Sequence, residues 1–200
     1  MYYGLFKDIR ESAWKCLLEF EIDSLPVDIL KITRKVGISV VKNSSVGDLM
    51  PNEYAKSYFN GHRWIVIYDD TNPTEVSRFA IAHELGHFFL GHDMTHTRYK
   101  DAKQFGKRPK AEQQADMFAM RLLAPACIIK ELELHTAEDI SKYCGIPLNV
   151  AKDRAQRMKT LYARNLFFTD PLEKAVHDEF YSYLKRANRE KNKKVQKSTE

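Results

Sequence analysis

Cysteine is scarce in this 200-residue chain: Cys16, Cys127 and Cys144 stand far apart, odd in number, and no CxxC occurs. Such spacing excludes a disulfide framework and a thiolate-ligated zinc site, so the three are expected to be buried thiols. Long apolar runs are also missing. The longest strongly apolar windows, Trp64 to Tyr68 and Phe88 to Leu90, fall well short of the roughly 18–20 residues that a membrane span needs. The opening residues, MYYGLFKDIRES, mix charge with apolar side chains and hold no hydrophobic segment of a secretory leader; the expectation is a cytoplasmic protein. No intact repeat is present. Broad basicity is lacking too, despite a sequence pI near 9.0. Residues 185–200 hold seven Lys/Arg against two Glu, which leaves 25 basic and 25 acidic groups in residues 1–184. The positive charge belongs to a tail that reads as a solvated, frayed helix end, not to a nucleic-acid-binding body.

What is present is 44% apolar content, enough for a sizeable core. Helical spacing appears over residues 5–20 and again from Val27 to Val36, the second opened by Pro26 and closed by Gly37. Ile38 to Val41 reads as a strand and Asn43 to Asn52 as a loop. Ala55 to Phe59 and His62 to Tyr68 flank Asn60-Gly61, the dipeptide suited to a type I′ hairpin turn. Asn72 is placed to cap the next helix, with Pro73 at its first position and Glu75 three residues after the cap; Gly91 would end it. Residues 92–109 lose periodicity and read as a mobile basic loop. A helix follows over 110–124, stopped by Pro125, and then helices at 126–134, 137–144, 148–165 and 171–190, with Thr136 a cap and Gly145 a terminator. The fold class expected is α+β: a core at residues 1–134, with a small, mainly antiparallel sheet against the central helix, and a helical module at 135–200.

Within that central helix stands His83-Glu84-Leu85-Gly86-His87, an HExxH pattern. Histidines four apart lie on one helical face about 6 Å apart along the axis, so both imidazoles can reach one metal ion. Glu84 is then placed to act as a base toward water. Gly86 costs about 1 kcal/mol in a helix interior relative to alanine, which points to another backbone passing close by. A catalytic zinc takes three protein ligands. Glu112, at the start of the next helix, suits an antiparallel return, and Asp116 one turn later could accept a hydrogen bond from a ligand histidine. His92 and His96 are alternatives for the third ligand. The pattern HExxHxxGxxH is excluded, because position 90 is leucine and position 93 is aspartate.

Two blocks, Arg78 to His87 (RFAIAHELGH) and Glu112 to Pro125 (EQQADMFAMRLLAP), together resemble the ImmA/IrrE-like metallopeptidases, a thermolysin-type zincin group. Leu25-Pro26-Val27-Asp28 and Gly37-Ile38-Ser39-Val40 match upstream, so the similarity covers roughly residues 22–160. The resemblance implies Zn2+ held by His83, His87 and Glu112, with Glu84 as general base. It further implies an endopeptidase, often encoded in mobile elements or stress regulons, that cleaves a partner helix-turn-helix repressor and releases transcription. Tyr99, His92, His96 and Arg121 are candidates to stabilise the oxyanion. The strand His62 to Tyr68 is a candidate edge for an extended substrate.

Other signals are less specific. Residues 137–155 resemble a helix-turn-helix, with Val150, Ala151 and Arg154 on its second helix, and this segment could dock a repressor, enter a DNA groove or simply pack as a helical hairpin. Phe180, Tyr181, Tyr183 and Leu184 could form an apolar face for a partner. His62, His135 and His177 read as surface or structural histidines. Rival functions are a DNA- or partner-binding regulator with a structural zinc centre, and a general degradative protease.

Overall fold

Helices form where apolar residues recur at helical spacing. The computed structural model describes residues 3–92, 95–99 and 109–197, with the side chains of 8–92 and 109–191. Helix α1 (Tyr3–Glu19) turns Ile9, Ala13, Cys16 and Leu17 into the core. Helix α2 (Ile29–Lys35) starts later than Pro26 suggests: Asp28 caps it, its Oδ1 accepting the Lys31 amide at 2.9 Å. Proline has no side-chain acceptor for an orphan amide of the first turn, and aspartate does.

Strand β1 (Ser39–Lys42) leads into a one-turn helix α3 (Asn43–Val46) where a plain loop was expected. Asn43 explains it: its Oδ1 accepts the amides of Asp48 and Leu49, and Gly47 closes the turn at φ +64°. Strands β2 (Glu53–Phe59) and β3 (Trp64–Tyr68) form the expected hairpin, but across a four-residue connection. Asn60 Oδ1 accepts from the amides of both His62 and Arg63, and of the Asn60-Gly61 pair only Gly61 has positive φ. A type I′ turn needs positive φ at both positions.

The expected helix from Asn72 is α4 (Thr74–Phe89), and it begins without a side-chain cap. Asn72 donates instead to the Asp69 carbonyl, while the Pro73 carbonyl receives Val76 and Ser77. The loop expected at 92–109 contains a strand, β4 (Thr95–Tyr99), paired antiparallel to β2 with Ser57 opposite His96. Its polar sequence has no apolar alternation to announce it, and only the backbone ladder to β2 defines it. The remainder of that loop, 93–94 and 100–108, lies outside the described residues. Sheet order is β1-β3-β2-β4, with β1 parallel to β3 and the other two pairings antiparallel. β3 is therefore interior, and its edges are not available to a substrate; β1 and β4 are the outer strands.

Helix α5 (Lys110–Leu123) is followed by α6 (Ala126–Glu131), α7 (Ala137–Cys144), α8 (Leu148–Ala163), α9 (Pro171–Glu179) and α10 (Tyr181–Lys197). Thr136 caps α7 through the Asp139 amide, and Gly145 ends it at φ +60°. The single helix expected at 171–190 is broken at Phe180. Phe180 and Leu184 are buried, and only Tyr181 of that apolar group is exposed, so the face serves this chain's own core. One hydrophobic cluster runs from Ile9 through Phe118 and Ile140 to Leu184, with α1 packed on both α5 and α9. Each large side chain fully buried there contributes about 1.5–3 kcal/mol. Residues 198–200 of the basic tail lie outside the described residues. No described helix is long and apolar enough to cross a membrane.

The α7–α8 pair exists, but Arg154 does not face outward. It is 4% exposed, and its Nε donates to the Ala124 carbonyl at the end of α5 at 2.8 Å. Burial pulls its pKa down to about 10. Arg154→Met keeps the apolar stem and strands that carbonyl, so a loss of about 1–3 kcal/mol of unfolding free energy is expected. Urea titration checks this; an unchanged midpoint would show that the guanidinium contributes nothing.

Candidate metal centre

His83, Glu84 and His87 lie in the stretch of α4, Phe79 to His87, that is buried on all sides. Their exposures are 0%, 2% and 1%. Such burial requires a neighbour on every face, and Gly86 admits the closest one: a Cβ built there would lie 2.9 Å from Ala115 Cα and 3.0 Å from the Ala115 carbonyl oxygen. α5 thus runs directly against α4, and Glu112 in its first turn reaches the two histidines. Glu112 Oε2 stands 3.3 Å from His83 Nε2 and Oε1 stands 3.2 Å from His87 Nε2, while the two Nε2 atoms are 3.1 Å apart.

These three side chains form a group that could hold a metal ion. The donor set is two neutral-capable imidazoles and a carboxylate, and its spacing suits zinc. A tetrahedral ion with bonds of about 2.05 Å has ligand atoms about 3.3 Å apart. Glu112 is 17% exposed at its side chain, so the group opens to solvent on that side. Burial works to raise the Glu112 pKa, but where His83 and His87 are protonated and no metal is bound, their hydrogen bonds and charge outweigh it and hold the carboxyl well below its usual range. Its place at a helix N-terminus favours the same charge.

Each histidine is held from behind. Asp116 Oδ1 is 2.7 Å from His83 Nδ1, the partner expected from the Glu-xxx-Asp spacing. His92 Nδ1 is 2.9 Å from His87 Nδ1, and His92 Nε2 is 3.1 Å from Gln114 Oε1. His92 therefore stands behind His87 and is not one of the three grouped side chains. Glu84 receives a hydrogen bond from Ser57 Oγ at 2.5 Å. Ser57 sits on the inward face of β2, in alternation with Glu53 and Ala55.

Sequence reasoning missed the roles of Ser57, His92 and Gln114. A polar residue on the inward row of a strand was the signal for Ser57. For His92 the signal was its place one residue after a helix-ending glycine, five after His87. Arg121 belongs elsewhere: nine residues beyond Glu112, it is about 13 Å further along α5. Burial, with Arg154, Arg10 and Arg157 nearby, pulls its pKa down to about 9. His96 and Tyr99 lie on β4, where only the backbone is described. His62 is exposed, His135 lies against Tyr162, and His177 against Phe168, all away from the group. The three cysteines are free and buried as expected, and burial pushes Cys127 and Cys144 up to about 12.

Residues 33–156 match the M78 peptidase family, described by its IrrE N-terminal-like domain. The chain belongs to this family. No curated protein matches it. The matched span holds the whole HExxH helix, the Glu112 helix and the sheet that carries Ser57, and the chain is accordingly a metallopeptidase-family protein with a candidate metal-binding triad. Arg78, on the M78 domain's α4, ties the matched span both to the segment before it and to the turn after α7: its Nη2 donates to the Val27 carbonyl at 2.8 Å and its Nε to the Gly145 carbonyl at 3.2 Å.

Proposed function

We propose that the chain is a cytoplasmic zinc endopeptidase that hydrolyses a peptide bond in a partner regulatory protein, a helix-turn-helix transcriptional repressor. His83, His87 and Glu112 would hold the ion and Glu84 would be the general base. The observation that carries this proposal is the company Glu84 keeps: a buried carboxylate on the turn between two convergent histidines, oriented by Ser57, beside a group with three protein ligands. Three ligands leave a tetrahedral position for water, the arrangement of catalytic sites; structural zinc sites use four.

Bound zinc would lower the pKa of water to about 7 and polarise the peptide carbonyl. Glu84 takes the proton of the attacking water and afterwards delivers it to the leaving nitrogen, so no covalent intermediate with the chain is needed. Ser57 occupies one oxygen of that carboxylate and restricts its rotation. Asp116 and His92 hold the imidazoles with Nε2 toward Glu112. An extended substrate would add to the sheet at an outer strand, and β4, beside the strand bearing Ser57, is the nearer one. Residues 1–134 would carry the chemistry.

The test is to search the neighbouring reading frames for a helix-turn-helix repressor and to incubate any found there with the zinc-loaded chain. One defined cut is expected, abolished by chelator and restored by zinc. Intact repressor after prolonged incubation would overturn repressor cleavage, and equal digestion of unrelated unfolded proteins would favour a degradative protease.

A further inference from the structure

Helix α4 ends in a way that does more than stop the helix. Phe89 is its last residue and Leu90 its C-cap, Gly91 follows at φ +66°, and the amides of Gly91 and His92 return to the carbonyls of Phe88 and His87. This is the paired bonding of a Schellman motif, which brings the second residue past the cap over the residue five before it. An apolar contact ordinarily forms between those two positions. Here both are histidines, and their Nδ1 atoms meet at 2.9 Å.

We infer that His92, backed by Gln114, is a positioning residue that fixes the tautomer and rotamer of His87 for metal binding. The inference rests on the metal-centre proposal above. Between two imidazole nitrogens one must donate and the other accept. His92 Nε2 faces Gln114 Oε1, an amide oxygen that only accepts, so Nε2 carries the His92 proton and Nδ1 is left as an acceptor. His87 must then donate from Nδ1, which leaves the lone pair on Nε2, the atom that faces His83 Nε2 and Glu112. The direction of the whole chain of hydrogen bonds follows from one amide oxygen on α5. His83 gets the same tautomer by a different route, from the Asp116 carboxylate on the same helix. Both ligand imidazoles are thus oriented by α5, and for His87 the glycine turn supplies the intermediary.

The experiment is a zinc-affinity measurement on the full metal-free chain, by competition with a chromophoric chelator, so that no peptide substrate enters. His92→Phe keeps the ring volume and removes the bonds to His87 and Gln114; removing such an outer partner typically weakens metal binding about 10–100-fold. His92→Asn restores an acceptor near the Nδ1 position, so its affinity is expected to recover to within about threefold of the parent chain. Thermal unfolding of the metal-free forms separates this from simple damage: the affinity loss in His92→Phe should persist where the unfolding midpoint matches the parent. Unchanged affinity in His92→Phe, or a loss in His92→Asn as large as in His92→Phe, would overturn the inference. If His92→Phe does not fold, Gln114→Met decides, with a loss of about threefold or more expected and no loss overturning it. A parent chain that binds no zinc would instead overturn the metal-centre proposal itself.

Discussion

Glu84→Gln should leave the chain folded and loaded with zinc while peptide hydrolysis falls by about two to four orders of magnitude. Glu84 is not among the three side chains of the candidate metal group, so metal content should not change. Its carboxylate is buried and takes the Ser57 hydroxyl; glutamine keeps an oxygen for that bond and fills the same volume. What glutamine lacks is basicity, since an amide cannot take a proton from water near neutral pH. The expected loss corresponds to about 2.7–5.4 kcal/mol of transition-state stabilisation. Because the substitution also removes a buried charge, unfolding stability should hold or rise. Zinc analysis, thermal unfolding and the repressor assay on one preparation check all three points. A Glu84→Gln variant that still cuts at the parent rate would sink the mechanism, and one that binds no zinc would show that Glu84 belongs to the ligand set.

Gly86→Ala is expected to destabilise the protein, against the usual direction for a helix. In an ordinary helix interior alanine is favoured over glycine by about 0.8–1.0 kcal/mol. Here the new methyl would meet Ala115 Cα at 2.9 Å and its carbonyl oxygen at 3.0 Å, both backbone atoms that cannot swing aside. Overpacking of this kind costs about 1–3 kcal/mol, more than the propensity gain. The strain falls where α4 and α5 bring His83, His87 and Glu112 together, so zinc affinity should drop as well. Gly86→Val adds two further methyl groups and should exceed alanine on both measures. Denaturant titration with and without zinc tests the pair; a Gly86→Ala protein more stable than the parent would mean the helices separate without resistance.

Much of this arrangement is legible from residue order. HExxH places two ligands and a base because four residues make about one helical turn, and Glu112-xxx-Asp116 offers a ligand and its neighbour's partner for the same reason. Gly86 marks a close approach because glycine in a helix interior needs a cause. Gly91 and Gly145 mark helix ends because left-handed backbone suits glycine. The errors are of another kind. β4 was not legible because a polar strand made by backbone pairing leaves no apolar rhythm. Arg154 looks like a surface cation until the end of α5 is laid against α8. The strand Trp64–Tyr68 looks like an edge until β1, which lies across an intervening helix and strand in sequence, pairs beside it.

Local periodicity therefore determined which residues could ligate a metal, and that Glu84 would stand among them, since those relations hold within one or two helical turns. Tertiary structure decided that the Glu112 carboxylate, one of the candidates residue order offers, reaches both histidines, and that His92 stands behind His87. It also decided that Ser57 orients Glu84 from a strand 27 residues earlier. Such contacts join segments whose approach depends on the packing of the whole core, and a fit as close as Gly86 on Ala115 has no counterpart in the spacing of either helix read by itself.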